Sequence, residues 1–424
     1  MGTVLRNVRP LHGADRPLSL RIESTTFVDV TEGEITADPQ DTTIEGNGRL
    51  AFSGFVNAHT HLAMVLFRGL AEDVPLSAWL ADHVWPIERK LSPEDIYWCT
   101  LLGLTEAIRG GTTCVADMYF HTDEVGHAVE ESGLRALISY GVIAESMEEA
   151  GAEEIAITQR VVEKWDGAAE GRIRAAVSPH AVQTCGEDVW REAIEMSRAF
   201  DVPIHTHLAE TRGEVETWRS RTGVSPVTYL EDLGAFDVRT IAAHCVHVDK
   251  DDVARLAKGG VNVVHCPKSN AKLGSGIAPV TRMRAAGINV ALGTDGAASN
   301  NRLDMVEELR AAWILQRARN EDPKALSGSD AIEMATAAGR RALALPDGGI
   351  RVGTTADVVL LDAERCHNRP SHDPAATVAY TAGSADVTDV IVGGRPLMRD
   401  GELLTIDEER VQSEVERLLR RHGN

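Results

Sequence analysis

His59 and His61 stand two residues apart in GFVNAHTH, and Glu210 follows His207 by three in PIHTHLAE. His180 in AAVSPHA, His244 in TIAAHC and Asp295 in VALGTDG each close a short apolar run in the same way. Residues i and i+2 of an extended strand face one side, so His59 and His61 can present two imidazoles to a single ion. Alone, an HxH pair reads as two satisfied histidines. His207 and Asp295, at the ends of further runs, complete three imidazoles and one carboxylate, a set that suits Zn²⁺ or Fe²⁺ with space left for a water. His205 shares the HTH triplet, and either it or His207 could ligate. His207 is preferred because Glu210 follows at the strand-to-loop passage, where a proton-transfer group would reach a substrate. His205 then packs or supports a ligand. The fourth run ends in SPHA without a lysine that could be carbamylated to bridge two metals. One divalent ion per chain is expected, zinc foremost, with Fe, Ni and Mn as alternatives.

A water beside Zn²⁺ has its pKa lowered to about 7, which makes hydroxide available at neutral pH. Asp295 can take the proton of that water while still ligating, and His244 can hold the developing hydroxide or oxyanion. Glu210 is placed to protonate a ring nitrogen and pass a proton to the leaving group. The implied chemistry is hydrolytic attack on an electron-poor carbon of the C=N type. The chain contains no Walker P-loop, HExxH or GxSxG, nor the HxE with PCxxC of cytidine-type zinc deaminases. His247 and His265 are read as shaping the mouth of the site. His12, His83, His121, His127, His367, His372 and His422 carry no spacing argument.

Residues so far apart in sequence meet only if the elements carrying them converge. Candidate strands fall at 55–61, 112–118, 134–140, 173–179, 202–208, 240–245, 261–266 and 289–294, with helically spaced stretches such as PEDIYWCTLLGLTEAIRGG and DKDDVARLAKGG between them. Several of these helices stop at a glycine after a charged last turn, as at Gly110 and Gly259. Eight strand–helix alternations predict an α/β fold, a (β/α)8 TIM barrel, whose C-terminal strand ends share one face. Short strands and turns recur at both ends of the chain and predict a small β-sandwich domain built from the two termini together. The expected organisation is 1–53 and 347–424 for that small domain, the latter with a terminal helix, and 54–346 for the barrel.

A barrel of about 250 residues plus a smaller unit fits the 424 residues better than two equal domains. Hydrophobic residues at 43% and charged residues at 25% exclude a disordered or membrane class. A formal charge of −21 argues against nucleic acid, because phosphate binding needs a positive surface. No apolar stretch approaches the roughly 20 residues of a membrane span and MGTVLRNVRP has no apolar signal core, so a cytoplasmic location is expected. The six cysteines form no CxxC pair and are read as buried reduced thiols.

The strings GFVNAHTHLAMVLFRGLAEDVPLSAWL, TIAAHCVHVD, NAKLGSGIAPVTRM and LGTDGAASNNRLDMVEELR resemble the amidohydrolase superfamily of ATZ/TRZ-type metal-dependent hydrolases, closest to 5-methylthioadenosine/S-adenosylhomocysteine deaminases. The resemblance covers almost the whole chain. It implies a mononuclear site of His59, His61, His207 and Asp295, with Glu210 and His244 catalytic. It further implies that Glu88 accepts hydrogen bonds from ribose hydroxyls, that His180 contacts adenine, and that Ser299 and Asn300 line the mouth near the substrate. Outside the resemblance, Glu88 reads as a solvated helix residue.

The reaction so implied is hydrolytic deamination of an adenosine-type nucleoside, by a homo-oligomer (dimer or tetramer). Two alternatives stand beside it: a hydrolase of another ring (guanine, cytosine or an s-triazine) and a catalytically inactive scaffold of the same fold. Relatives that act on S-adenosylhomocysteine tend to carry arginines that clamp its carboxylate. Here Tyr140 stands where the first would be, and Glu148, Glu149, Glu153 and Glu154 follow.

Overall fold

The apolar runs become parallel strands buried on both faces, as expected where helices cover both sides of a sheet. The chain is seen in a computed structural model that describes residues 2–11, 16–70, 73–74 and 78–422. His12 and the side chain of Glu149 lie outside the described residues.

Five strands come from the N-terminal segment: β1 (Thr3–Pro10), β2 (Leu18–Glu23), β3 (Thr26–Glu32), β4 (Thr42–Glu45) and β5 (Leu50–Phe52). Ten follow in the middle: β6 (Phe55–His61), β7 (Thr112–Tyr119), β8 (Arg135–Val142), β9 (Ile173–Ala175), β10 (Ser178–Pro179), β11 (Ile204–Leu208), β12 (Thr240–His244), β13 (Asn262–His265), β14 (Val290–Leu292) and β15 (Asp295–Gly296). Four close the chain: β16 (Val358–Leu361), β17 (Val387–Val392), β18 (Arg395–Arg399) and β19 (Glu402–Leu403). The terminal strands share one hydrogen-bonded sheet in the order β19-β18-β17-β16-β5-β1-β2-β3, with β4 on β1. The two ends of the chain meet where β5 pairs antiparallel with β16, Leu50 opposite Leu361. Nearby, the buried Asp357 accepts from Arg135 Nε at 2.9 Å and Arg340 Nη1 at 3.0 Å, tying the terminal sheet to β8 through charges that satisfy each other.

The middle strands form two parallel sheets, β10-β8-β7-β6-β15 with β9 beside β8, and β11-β12-β13-β14. They touch at the bridge of Val177 with Ile204, and the chain passes from β14 to β15 through Gly293 and Thr294. Helices alternate with these strands, and several begin where the sequence offers a side-chain cap. Ser92 Oγ accepts from Asp95 N at 3.3 Å while the Asp95 carboxylate accepts from Ser92 N at 2.8 Å, starting the helix Pro93–Arg109. Asp249 and Asp252 do the same for Lys250–Lys258.

Two expected strands are interrupted. The run 173–179 breaks into β9 and β10 because Val177 turns to the other sheet, donating to Pro203 O at 3.0 Å and accepting from His205 N at 3.0 Å. The run 289–294 stops at Leu292 because Thr294 N donates to the Asn57 side chain at 3.0 Å instead of to a strand. At Gly293 a Cβ would lie 2.8 Å from both the N and the O of His59, so only glycine allows this approach. Of the cysteines, five are buried and free as expected, whereas Cys366 is exposed because it opens the short turn Cys366–Asn368 outside the core. No helix among the described residues is long and apolar enough to cross a membrane.

Candidate metal and catalytic site

His59, His61, His207, His244 and Asp295 stand at the C-terminal edge of the parallel strands and converge there. His61 Nδ1 donates to the Met118 carbonyl at 2.6 Å, and His207 Nδ1 donates to the His180 carbonyl at 2.9 Å. A carbonyl only accepts, so both Nδ1 atoms carry hydrogen and each Nε2 is the ring atom left to meet a cation. Those two Nε2 atoms face each other at 3.3 Å. His59 Nδ1 shares a hydrogen with His205 Nε2 at 2.8 Å, and the buried His59 Nε2 has no hydrogen-bond partner. Asp295 Oδ1 lies 3.2 Å from His61 Nε2 and 3.6 Å from His59 Nε2. The ligating atoms of His59, His61 and His207 lie within 4.8 Å of one another, as do those of His59, His244 and Asp295. These two groups share His59, whose buried Nε2 is otherwise orphaned, and their imidazoles and carboxylate fit a divalent cation.

The electrostatics agree with that fit. Burial pushes His59 down to about 4 and His207 well below the usual range, which keeps both neutral and able to ligate. Burial works the same way on His61, yet the Asp295 carboxylate beside it outweighs burial and raises it to about 9. A proton on His61 thus balances the charge of Asp295 where a cation would.

Around this cluster sit the groups that could move protons. His244 Nδ1 meets Asn270 Oδ1 at 2.9 Å, and its Nε2 lies 3.8 Å from Glu210 Oε2. Burial raises the Glu210 carboxylate, with the nearby Asp295 charge adding and His244 opposing. His180 follows β10; burial lowers it to about 4, and its ring lies 4.6 Å from that of His207. Both His244 (φ 71°) and Asp295 (φ 63°) adopt left-handed backbone, which costs a β-carbon-bearing residue about 1–3 kcal/mol and is found where function fixes a side chain.

Glu88 is half-buried rather than solvated. It follows the turn Trp79–Val84 and accepts from Tyr119 Oη at 2.5 Å, and burial raises its carboxyl. Glu88 also lines a cavity of about 1030 Å³ together with Trp85, Tyr119, Phe120 and Tyr140, and none of the converging histidines or Asp295 is among its lining residues. Ser299, expected at the mouth, is buried and turns its hydroxyl to Asp295 Oδ2 at 2.9 Å. Asn300 is buried too, donating to Thr294 O at 2.7 Å. His247 Nε2 meets Ser275 O at 2.6 Å, while both ring nitrogens of the buried His265 lack a partner.

Sequence reasoning missed Asp117, Tyr119, Ser269 and Asn270. Asp117 is buried, is raised to about 6 by burial, and accepts from Leu62 N at 2.6 Å just behind the HTH segment. Only Asn270 and Ser269 left a trace, in the string CPKSNAK beside His265.

A family model described as "Amidohydrolase family" matches residues 50–397. The chain is 46% identical over 377 residues to a 5-methylthioadenosine/S-adenosylhomocysteine deaminase of Pelotomaculum thermopropionicum, covering 88% of this chain and 86% of the relative. It is 44% identical over 404 residues to a 5'-deoxyadenosine deaminase of Methanothermobacter thermautotrophicus, covering 95% and 94%. The crystal structure of an adenosine deaminase from Xanthomonas campestris with bound zinc superposes with a TM-score of 0.93 at 32% identity, over 99% of this chain and 98% of that one. By its sequence match and by the backbone that carries its histidines, the chain belongs to the amidohydrolase family.

Proposed function

We propose that this protein is a metal-dependent hydrolytic deaminase of adenosine-type nucleosides: 5'-methylthioadenosine, adenosine, 5'-deoxyadenosine or S-adenosylhomocysteine. The observation that carries the reading is the convergence of three histidine Nε2 atoms and Asp295 Oδ1, with Glu210 and His244 beside them. In the same reading the two parallel sheets are parts of one (β/α)8 barrel and the terminal strands form a β-sandwich, over the boundaries 1–53, 54–346 and 347–424. His59, His61, His207 and Asp295 would hold one divalent ion, zinc foremost. Such an ion supplies Lewis acidity and makes hydroxide available near neutral pH.

The chain's own groups divide the remaining work. Asp295 takes a proton from the attacking water as its oxygen bonds to C6 of the adenine ring. Glu210, whose carboxyl burial raises, delivers a proton to the adjacent ring nitrogen. His244 turns Nε2 to the oxygen and holds it in place. Glu210, now a carboxylate, collects the hydrogen left on the oxygen and passes it to the exocyclic amine. The C6–N bond breaks and ammonia leaves, the ring keeps a carbonyl and its protonated nitrogen, and the proton on Asp295 returns to Glu210. His180 faces the ring, and Glu88, oriented by Tyr119, accepts from the ribose hydroxyls.

The test is ammonia release by zinc-loaded protein from a panel of adenosines, adenine, guanine, cytosine and s-triazines. If Glu88 holds two ribose hydroxyls, its removal costs about 1.5–3 kcal/mol per bond toward nucleosides, and free adenine is a poor substrate of the parent. Equal kcat/KM for adenine and adenosine contradicts that assignment.

The cavity beyond Glu88 bears on the 5' tail. Tyr140 lines it, as does Glu154, whose carboxylate accepts from Ile143 N at 2.6 Å. Arg89, Arg160 and Lys164 line it as well, cations that the sequence reading did not weigh. Lys164 is engaged with Asp123 at 3.0 Å. Without an arginine at position 140, a carboxylate tail forgoes about 1.5–3 kcal/mol per charged hydrogen bond. The expected result is a kcat/KM for 5'-methylthioadenosine about tenfold or more above that for S-adenosylhomocysteine, since each 1.4 kcal/mol is about tenfold. A preference for S-adenosylhomocysteine that disappears in Arg160→Ala would place the carboxylate clamp on Arg160 and overturn this expectation.

A further inference from the structure

We propose that the short helix Pro267–Lys272 is a positioning platform that holds Asp295 and His244 in fixed relation through its adjacent residues Ser269 and Asn270. The proposal rests on the metal-dependent reading above. Ser269 Oγ donates to Asp295 Oδ2 at 2.5 Å, and Ser299 Oγ reaches the same oxygen at 2.9 Å. Both serines are buried. Asp295 Oδ1 is the atom left facing His59 Nε2 and His61 Nε2, and Gly296 N donates to it at 2.8 Å. The carboxylate is thereby held in one orientation, with one oxygen toward His59 and His61 and the other toward the serines.

The next residue along does the same for His244. Asn270 Oδ1 accepts from His244 Nδ1 at 2.9 Å, which fixes the ring and directs Nε2 toward Glu210 Oε2 at 3.8 Å. Two groups that act on the same water therefore hang from neighbouring positions of one six-residue helix. That helix is itself anchored. The fully buried Glu308 accepts from Lys268 N at 3.3 Å and from Asn300 Nδ2 at 2.5 Å, so one carboxylate joins the segment bearing Ser269 to the segment Ala297–Asn300 bearing Ser299. Asn300 Nδ2 also donates to Thr294 O at 2.7 Å, just before Asp295. This accounts for a buried carboxylate that the reaction itself does not use.

The experiment compares Ser269→Ala and Ser269→Thr in the full chain, reading zinc affinity by chelator competition and kcat and KM by ammonia release. Removing an outer hydrogen bond to a metal ligand typically costs about 10- to 100-fold in affinity or activity, so zinc binding by Ser269→Ala should weaken by that span, while the threonine variant, which keeps the hydroxyl, stays within about threefold of the parent. Ser299→Ala, which removes the second donor, should shift zinc affinity in the same direction and serves if Ser269→Ala does not fold. Asn270→Ala should lower kcat with KM and zinc affinity at parent values. Zinc held as tightly by both alanine variants of the serines as by the parent, or a threonine variant as weak as alanine, overturns the platform. If the zinc-loaded parent releases ammonia from none of the nucleosides, the proposed activity falls, while the chelator competition still decides the platform.

Discussion

Glu210→Gln is expected to lower kcat by about 10²- to 10⁴-fold, the range typical of a general acid–base group. Glutamine keeps the size and the hydrogen-bonding reach of the side chain but cannot carry a proton between the ring nitrogen and the departing amine. Burial holds the Glu210 carboxyl above its ordinary range, and the 3.8 Å approach to His244 places it at the reacting end of the site. Glu210 belongs to neither group of converging ligand atoms among the described residues, so the variant should bind as much metal as the parent. Steady-state kinetics together with elemental analysis check both halves. Turnover near the parent rate would reassign Glu210 to a structural role, and loss of metal would place it among the ligands.

Stripping the metal with a chelator should abolish activity, and adding back about one zinc per chain should restore it. One ion is expected because the two groups of ligating atoms, His59–His61–His207 and His59–His244–Asp295, share His59, and no lysine ends β10 to bridge to a second ion. Without the ion, the Asp295–His61 pair at 3.2 Å closes on itself and leaves no Lewis acid to activate water. Two ions per chain by elemental analysis, or full activity in metal-free protein, would contradict this.

Much of this site was legible because its residues obey local rules. Strands buried on both faces read as apolar runs, so β6, β7, β11 and β12 fall within a few residues of where the sequence puts them. The period of two in HTH places His59 and His61 together, and an acid three residues past His207 marks the loop above the strand. What was not legible depends on contacts across the fold. Tyr119 orients Glu88 across 31 positions, and Ser269 reaches Asp295 across 26. No local pattern distinguishes a serine that clamps a carboxylate from one that caps a turn. The split of 173–179 likewise follows from Val177 pairing with a strand of the other sheet, which its own alternation does not encode. Arg160 lines the cavity from the helix Ala152–Trp165, a placement that no local pattern in the sequence encodes.

The most direct measurement is mass spectrometry of 5'-methylthioadenosine incubated with the zinc-loaded protein in ¹⁸O-labelled water. The account predicts a nucleoside product in which the exocyclic amine is replaced by one solvent oxygen, matched by one ammonia, with the glycosidic bond intact. Unchanged adenosines alongside consumption of guanine or an s-triazine, or release of free adenine in place of the deaminated nucleoside, would contradict it.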